Sequence, residues 1–255
     1  MANETLTDVF SDIADAIRAK GLTGQMKPTE MSTKIADIPS GGGGDPRYEV
    51  DANGQLVKKE FDITWFNDLT VLNINMGHAY SSGGVRTINF PNLSSSVNPG
   101  KFTFTFESCT ELSSASFPNL TTAYGETFNN TFPNCTNLVE LSLPNLVDMS
   151  NGYFGGDAFD MMCRGCTSLK RVYLTKYSDT AKTIGRAFWD CSSLELIDFH
   201  LATAVPKVAS NTFNNSNTTF QIVVPDELYD TWITATNWSA RASQIVKYSE
   251  YTSAN

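Results

Sequence analysis

The chain has 255 residues, enough to bury a sizeable core and long against a domain prior of about 150, so it fits one elongated domain or two small ones. Net charge is −9 and the pI is near 4.7, which argues against nucleic acid and anionic membrane surfaces as partners. Charged residues make up only 18%, while Asn, Ser and Thr together number 73, so uncharged polar groups stand in for ions on the surface. No stretch reaches 18 consecutive apolar residues, and MANETLTDVF lacks the basic and apolar regions of a secretory signal, so neither membrane insertion nor general secretion is expected.

Residues 4–20 place Leu6, Phe10, Ile13 and Ile17 at 4-3-4 spacing, with Val9 widening the stripe. This predicts an amphipathic helix, ended by Gly21 and started by Thr5 with Asp8 in a capping-box arrangement. A helix of about 17 residues is marginal alone in water, and its stripe suits a short coiled-coil seam. Leu6, Val9, Phe10, Ile13 and Ile17 are therefore candidates for oligomerisation or anchoring, against the alternative that they pack on the chain's own repeats. Met31, Ile35 and Ile38 suggest a second short packed segment, and Gly41 to Gly44 read as a flexible joint.

Beyond the joint, Asn53-Gly54 lies between two stretches of strand character, a hairpin signal. From about residue 69 the apolar spacing becomes LxxLxLxxL and recurs seven times, anchored on Leu72, Ile88, Ala115, Leu141, Val172, Ile197 and Ile222. The steps between anchors are 16, 27, 26, 31, 25 and 25 residues. One unit cannot bury its apolar side alone, so the units stack into a solenoid with strands about 4.8 Å apart in a parallel sheet. Cys109, Cys135, Cys166, Cys191 and Ser216 form a second periodic column, and Phe106, Phe132, Phe188 and Phe213 lie three positions before four of its members.

Thr183 to Phe199, TIGRAFWDCSSLELIDF, resembles the BspA-type leucine-rich repeat, whose pattern runs IGxxAFxxCxxLxxI, and the likeness extends over roughly residues 85 to 225. Ile13 to Gly41 resembles the leader of bacteriophage and prophage tail-associated proteins, and Pro225 to Tyr251 is similar to the closing segment of phage-type repeat proteins. Leu228, Trp232, Ile233 and Trp238 in that segment read as a cap on the last rung. The fold expected is a mainly β repeat solenoid of leucine-rich-repeat type, with an N-terminal amphipathic helix and a C-terminal cap. Its divisions are 1–40 for the helical anchoring segment, 41–46 for the linker, 47–84 for the hairpin and short first rung, 85–224 for the repeats and 225–255 for the cap.

The resemblances imply a virion structural protein of the tail fibre or baseplate, assembled in the host cytoplasm. Its expected partners are other tail proteins through the N-terminal segment and a bacterial surface glycan or protein through the repeats. It is expected to be a homo-oligomer, with a trimer favoured. The alternative is a host-encoded BspA-like adhesin on the bacterial cell surface.

Catalytic and metal chemistry are not expected. Cys163-Arg164-Gly165-Cys166 is a C-x-x-C, but Cys166 belongs to the repeat column and no second pair exists. His78 and His200 fall on different rungs, and no nucleophile elbow, Walker loop or metalloprotease motif is present. Asp157 and Asp160 lie in the longest connection and read as a solvated loop rather than a glycosidase pair. No cofactor and no enzyme activity is therefore expected.

Strand alternation sends the residues flanking each anchor outward. The pairs are Thr87 and Asn89, Ser114 and Ser116, Glu140 and Ser142, Arg171 and Tyr173, and Leu196 and Asp198, with Glu140, Arg171, Tyr173 and Asp198 as the ligand-binding candidates. The other candidates are Tyr153 and Phe154 in the longest connection, with Tyr80 and Tyr124 in comparable places.

Overall fold

The computed structural model describes residues 68–72, 76–97, 102–149, 159–179 and 182–251, and the backbone of two short strands before them. The anchoring residues Leu6, Val9, Phe10, Ile13 and Ile17, the glycine joint, and Tyr153 and Phe154 lie outside the described residues. The strands in chain order are β1 (Tyr48–Val50), β2 (Leu56–Lys58), β3 (Val71–Leu72), β4 (Thr87–Asn89), β5 (Ser95–Ser96), β6 (Ser114–Ser116) and β7 (Glu140–Ser142). They continue as β8 (Arg171–Tyr173), β9 (Thr183–Ile184), β10 (Leu196–Asp198), β11 (Lys207–Val208), β12 (Gln221–Val224) and β13 (Ile245–Lys247). β1 and β2, which flank Asn53-Gly54, pair antiparallel.

Seven strands form one parallel sheet in the order β13-β12-β10-β8-β7-β6-β4, the stacked face of a solenoid. Ile88, Ala115, Leu141, Val172, Ile197, Ile222 and Ile245 stand in register along it, all buried. Each occupies an inward position because side chains alternate along a strand.

Six of these are anchors expected from the spacing, and Leu72 is not among them. Leu72 pairs with Ser96, 24 residues on, in the separate β3-β5 pair. That distance is one full turn, so the 16-residue step from Leu72 to Ile88 is less than a turn and the two occupy different columns. The place at the other end of the sheet goes to Ile245, from the segment expected only to cap. Parallel bridges Ser95↔Thr122 and Thr122↔Asp148 continue the β3-β5 row along another side of the coil.

The interior is built from columns that repeat once per rung. Tyr80, Phe106, Phe132, Cys163, Phe188 and Phe213 form one, and all are buried. Its rings stack nearly parallel, with centroids 5.7 Å apart for Tyr80 and Phe106, 5.5 Å for Phe106 and Phe132, and 5.8 Å for Phe188 and Phe213. Tyr80 is thus a core residue and not the surface aromatic expected from its connection.

Three residues after each of the last five comes the thiol column, whose members donate hydrogen bonds. Cys109 Sγ donates to the Tyr80 carbonyl at 3.0 Å, Cys135 to Phe106 at 2.9 Å, Cys166 to Phe132 at 3.1 Å and Cys191 to Cys163 at 3.2 Å. Ser216 Oγ makes the same bond to Phe188. A small donor at this place gives a second hydrogen bond to a buried carbonyl of the preceding rung that already accepts a backbone N–H within its own rung, as Phe106 does from Cys109 at 3.2 Å.

The residue before the donor turns the chain with positive φ: 56° at Ser108, 61° at Asn134, 75° at Gly165, 62° at Asp190 and 57° at Asn215. Small polar side chains and glycine tolerate that region best, which places many of the Asn, Ser and Asp residues in tight turns. At Gly165 a Cβ would also lie 2.5 Å from Asn134 Oδ1, so glycine is required there twice over.

The C-terminal end of the coil is closed by helix α1 (Tyr229–Thr234) and the 3-10 segment Ser239–Gln244. Trp232 and Trp238 are fully buried and lie 5.3 and 5.9 Å from Phe199. Trp238 Nε1 donates to the Pro206 carbonyl at 2.7 Å, and Leu228 and Ile233 pack at the margin. Without this cover the last rung would expose an apolar end.

Candidate functional site

The outward positions of the sheet make two columns on either side of the buried anchors. One runs Thr87, Ser114, Glu140, Arg171, Leu196 and the other Asn89, Ser116, Ser142, Tyr173, Asp198. The structure brings Glu140, Arg171 and Tyr173 together on neighbouring strands, Glu140 opposite Arg171 and Ser142 opposite Tyr173. Glu140 and Arg171 are register partners, yet no ion pair joins them. Burial raises the Tyr173 phenol above its ordinary value of 10.0, the Glu140 charge adds to the rise, and the nearby Arg171 guanidinium opposes it. The phenol therefore stays protonated and able to donate across the neutral range.

Asp198 is not part of this open face. Both outward residues of β10 are buried, at 8% exposure each for Leu196 and Asp198. The Asp198 carboxylate accepts from the His200 backbone N–H at 2.9 Å, and its two oxygens lie 2.8 and 2.9 Å from His200 Nδ1. Thr175 Oγ1 bonds the same group at 3.3 Å. The His200 ring stacks on Tyr248 with centroids 4.2 Å apart and planes 12° from parallel. Tyr248 starts the 3-10 segment Tyr248–Glu250, which is tied down where the Ser249 N–H donates to Asp226 at 3.0 Å. Strand alternation is correct for Asp198, but His200 and Thr175 hold its carboxylate, and Tyr248, 50 positions later in the chain, stacks on that imidazole.

His200, Tyr248 and Tyr251 thus border the open face at its C-terminal end, with Tyr251 close enough to influence the Tyr173 phenol. No sequence signal singled them out, because they follow the last repeat and carry no period. Tyr248 is 51% exposed, an aromatic surface held rigid from beneath by a histidine.

The C-x-x-C resolves into two repeat positions: Cys163 stands in the aromatic column and Cys166 in the donor column. All five cysteines are buried and free. Burial, followed by neighbouring thiols, pushes Cys135 and Cys191 well above the ordinary thiol value, and burial with a hydrogen bond to Cys166 does the same for Cys163. Such thiols are poor nucleophiles and poor metal ligands. No group of three or more metal-ligating side chains occurs among the described residues, and no described helix is long and apolar enough to cross a membrane.

Asp160 is bound by Arg186 through two hydrogen bonds of 3.0 and 2.8 Å, and Asp157 lies outside the described residues. His78 stacks on Phe104 at 4.9 Å and lies 3.7 Å from Glu107, far along the coil from His200.

A family model for the BspA type leucine rich repeat region matches residues 70–219 in six copies. No curated protein and no solved structure matches the chain. Leucine-rich repeats of this kind point to a binding, adhesin-like role. With the repeat match spanning more than half of the chain and the thiol and aromatic columns accounting for its residues rung by rung, the chain belongs to the BspA-type leucine-rich repeat family.

Proposed function

We propose that this chain is a non-catalytic virion structural protein of a phage tail fibre or baseplate, whose solenoid binds a glycan or protein on the bacterial surface. The observation that carries the binding part is the open sheet face, where Glu140, Arg171 and Tyr173 stand on adjacent rungs of a rigid core and make no ion pair with one another. The phage part is supported by the likeness of Ile13 to Gly41 to tail-associated leaders. Residues 1–40 attach the chain to other tail proteins as a homo-oligomer, a trimer in the favoured form, so that modest contacts multiply over several copies. Mass spectrometry of purified virions tests the assignment: a stoichiometric tail component is expected, and absence from the particle overturns it.

The second reading is a host-encoded adhesin on the bacterial cell surface, which membership of the BspA-type family favours. Surface labelling of intact host cells distinguishes it, since a phage component is labelled only on particles or after they adsorb.

A further inference from the structure

We infer that the open face takes a linear polysaccharide bearing sparse carboxylate groups, laid across the strands along the solenoid axis, with Arg171, Glu140 and Tyr173 as its anchoring subsite. This rests on the surface-binding reading above and adds the ligand's class and direction. Among the residues whose side chains are described, Arg171 and Lys207 are the two cations with no hydrogen-bond, ion-pair or ring partner. Lys207 lies in β11, away from the main sheet. Arg171 therefore presents its donor fork to solvent, and that fork matches a carboxylate in two bonds.

The neighbours complete a sugar-binding chemistry. Glu140, also unpaired, accepts from hydroxyls, while the Tyr173 ring offers a negative face to the C–H side of a pyranose. Ser116 and Ser142 continue the column at one hydroxyl per rung. Rungs repeat about every 4.8 Å, close to the advance of one sugar along an extended polysaccharide, so successive residues of such a chain meet successive rungs.

Two observations select this ligand over others. Among the described residues, the exposed large apolar ones, Val71, Val97, Val147, Leu201 and Tyr248, all lie off the outward positions of the seven-stranded sheet. The face thus lacks the apolar centre that anchors a protein partner. The net charge of −9 disfavours a densely anionic chain, so one guanidinium in an acidic molecule suits a polymer with occasional carboxylates rather than a polyphosphate.

The test uses the full chain on a microarray of purified bacterial surface polysaccharides with neutral, uronic-acid-containing and polyphosphate backbones. Retention on uronic-acid chains is expected, with loss when their carboxyls are reduced to alcohols. Arg171→Ala should weaken retention by about 10- to 100-fold and Tyr173→Ala by about 10-fold, while Lys207→Ala should not change it. Circular dichroism confirms that each variant is folded. No retention on any uronic-acid chain, or retention that survives carboxyl reduction or Arg171→Ala, overturns the inference. Capture of whole cells through a protease-sensitive, periodate-resistant receptor overturns it while leaving the surface-binding reading intact. Failure to capture cells at all overturns both.

Discussion

The aromatic column runs unbroken from Tyr80 through Phe132 and again from Phe188 to Phe213, but between them the rung of residues 159–179 carries Cys163 instead. The same rung differs at a second place. Where the three rungs before it put Leu93, Leu120 and Leu146 and the rung after it puts Ala202, it puts Tyr177, whose ring meets Phe159 edge to face at 5.1 Å. A large side chain has become small in one column and a medium one has become large in another. The coil continues in register through this rung, with Leu141 and Val172 still paired. Within this rung a loss of volume in one column is accompanied by a gain in another, as expected of a close-packed interior that tolerates compensated changes.

Uncompensated changes should be felt in proportion to the contacts removed. Phe132→Ala deletes a fully buried ring that stacks on Phe106, and urea unfolding should report a loss of about 3–5 kcal/mol. A loss below about 1 kcal/mol would mean that the aromatic rungs are no more tightly specified than the thiol rung.

Next in size is a pH effect. Cys135, Cys163 and Cys191 keep their protons in the folded state above the ordinary thiol value of 9.0, so the unfolded chain binds fewer protons there. Stability should be intact below that value and fall as pH rises through it, by up to about 1.4 kcal/mol per pH unit for each thiol. Urea midpoints at about pH 7 and about pH 10 check this, and equal midpoints would contradict buried thiols.

Gly165→Ala places a Cβ against Asn134 at φ 75°, and a loss of about 1–2 kcal/mol is expected. Pairing it with Asn134→Ala should recover part of the loss if the clash, rather than backbone strain, dominates. The smallest effect belongs to Cys135→Ser, which keeps a donor for the Phe106 carbonyl in the manner of Ser216 and should change stability by less than about 1 kcal/mol. Cys135→Val, which removes this bond but leaves the Phe106 carbonyl the Cys109 N–H at 3.2 Å, should lose about 0.5–1.5 kcal/mol by the same measurement.

Much of this was legible before the fold. The step of about 25 residues carries the solenoid, and the phase between Phe106 and Cys109, repeated down the chain, carries two of its columns. The triplet Glu140, Arg171, Tyr173 follows from alternation about Leu141 and Val172. Two of the expectations that differ from the structure concern residues whose partners lie outside the local pattern. Leu72 matches the apolar pattern but pairs a full turn away with Ser96, and Asp198 alternates outward but is bound by His200, on which Tyr248 stacks.

What the sequence by itself determined is the content of each rung: which side chain is inward, which residues recur in the aromatic and thiol columns, and where turn residues gather. These depend on near neighbours in the chain and on a repeat that states the same answer many times. The tertiary structure alone decided where the coil ends and which outward residues stay open. Ile245 joins the sheet, Trp232 and Trp238 close the core, and Tyr248 and Tyr251 border the face that Arg171 and Tyr173 leave exposed. Those contacts are made once, between segments with no shared period, and they are settled by the burial and hydrogen bonds gained when the chain's last segment folds back on its final rungs.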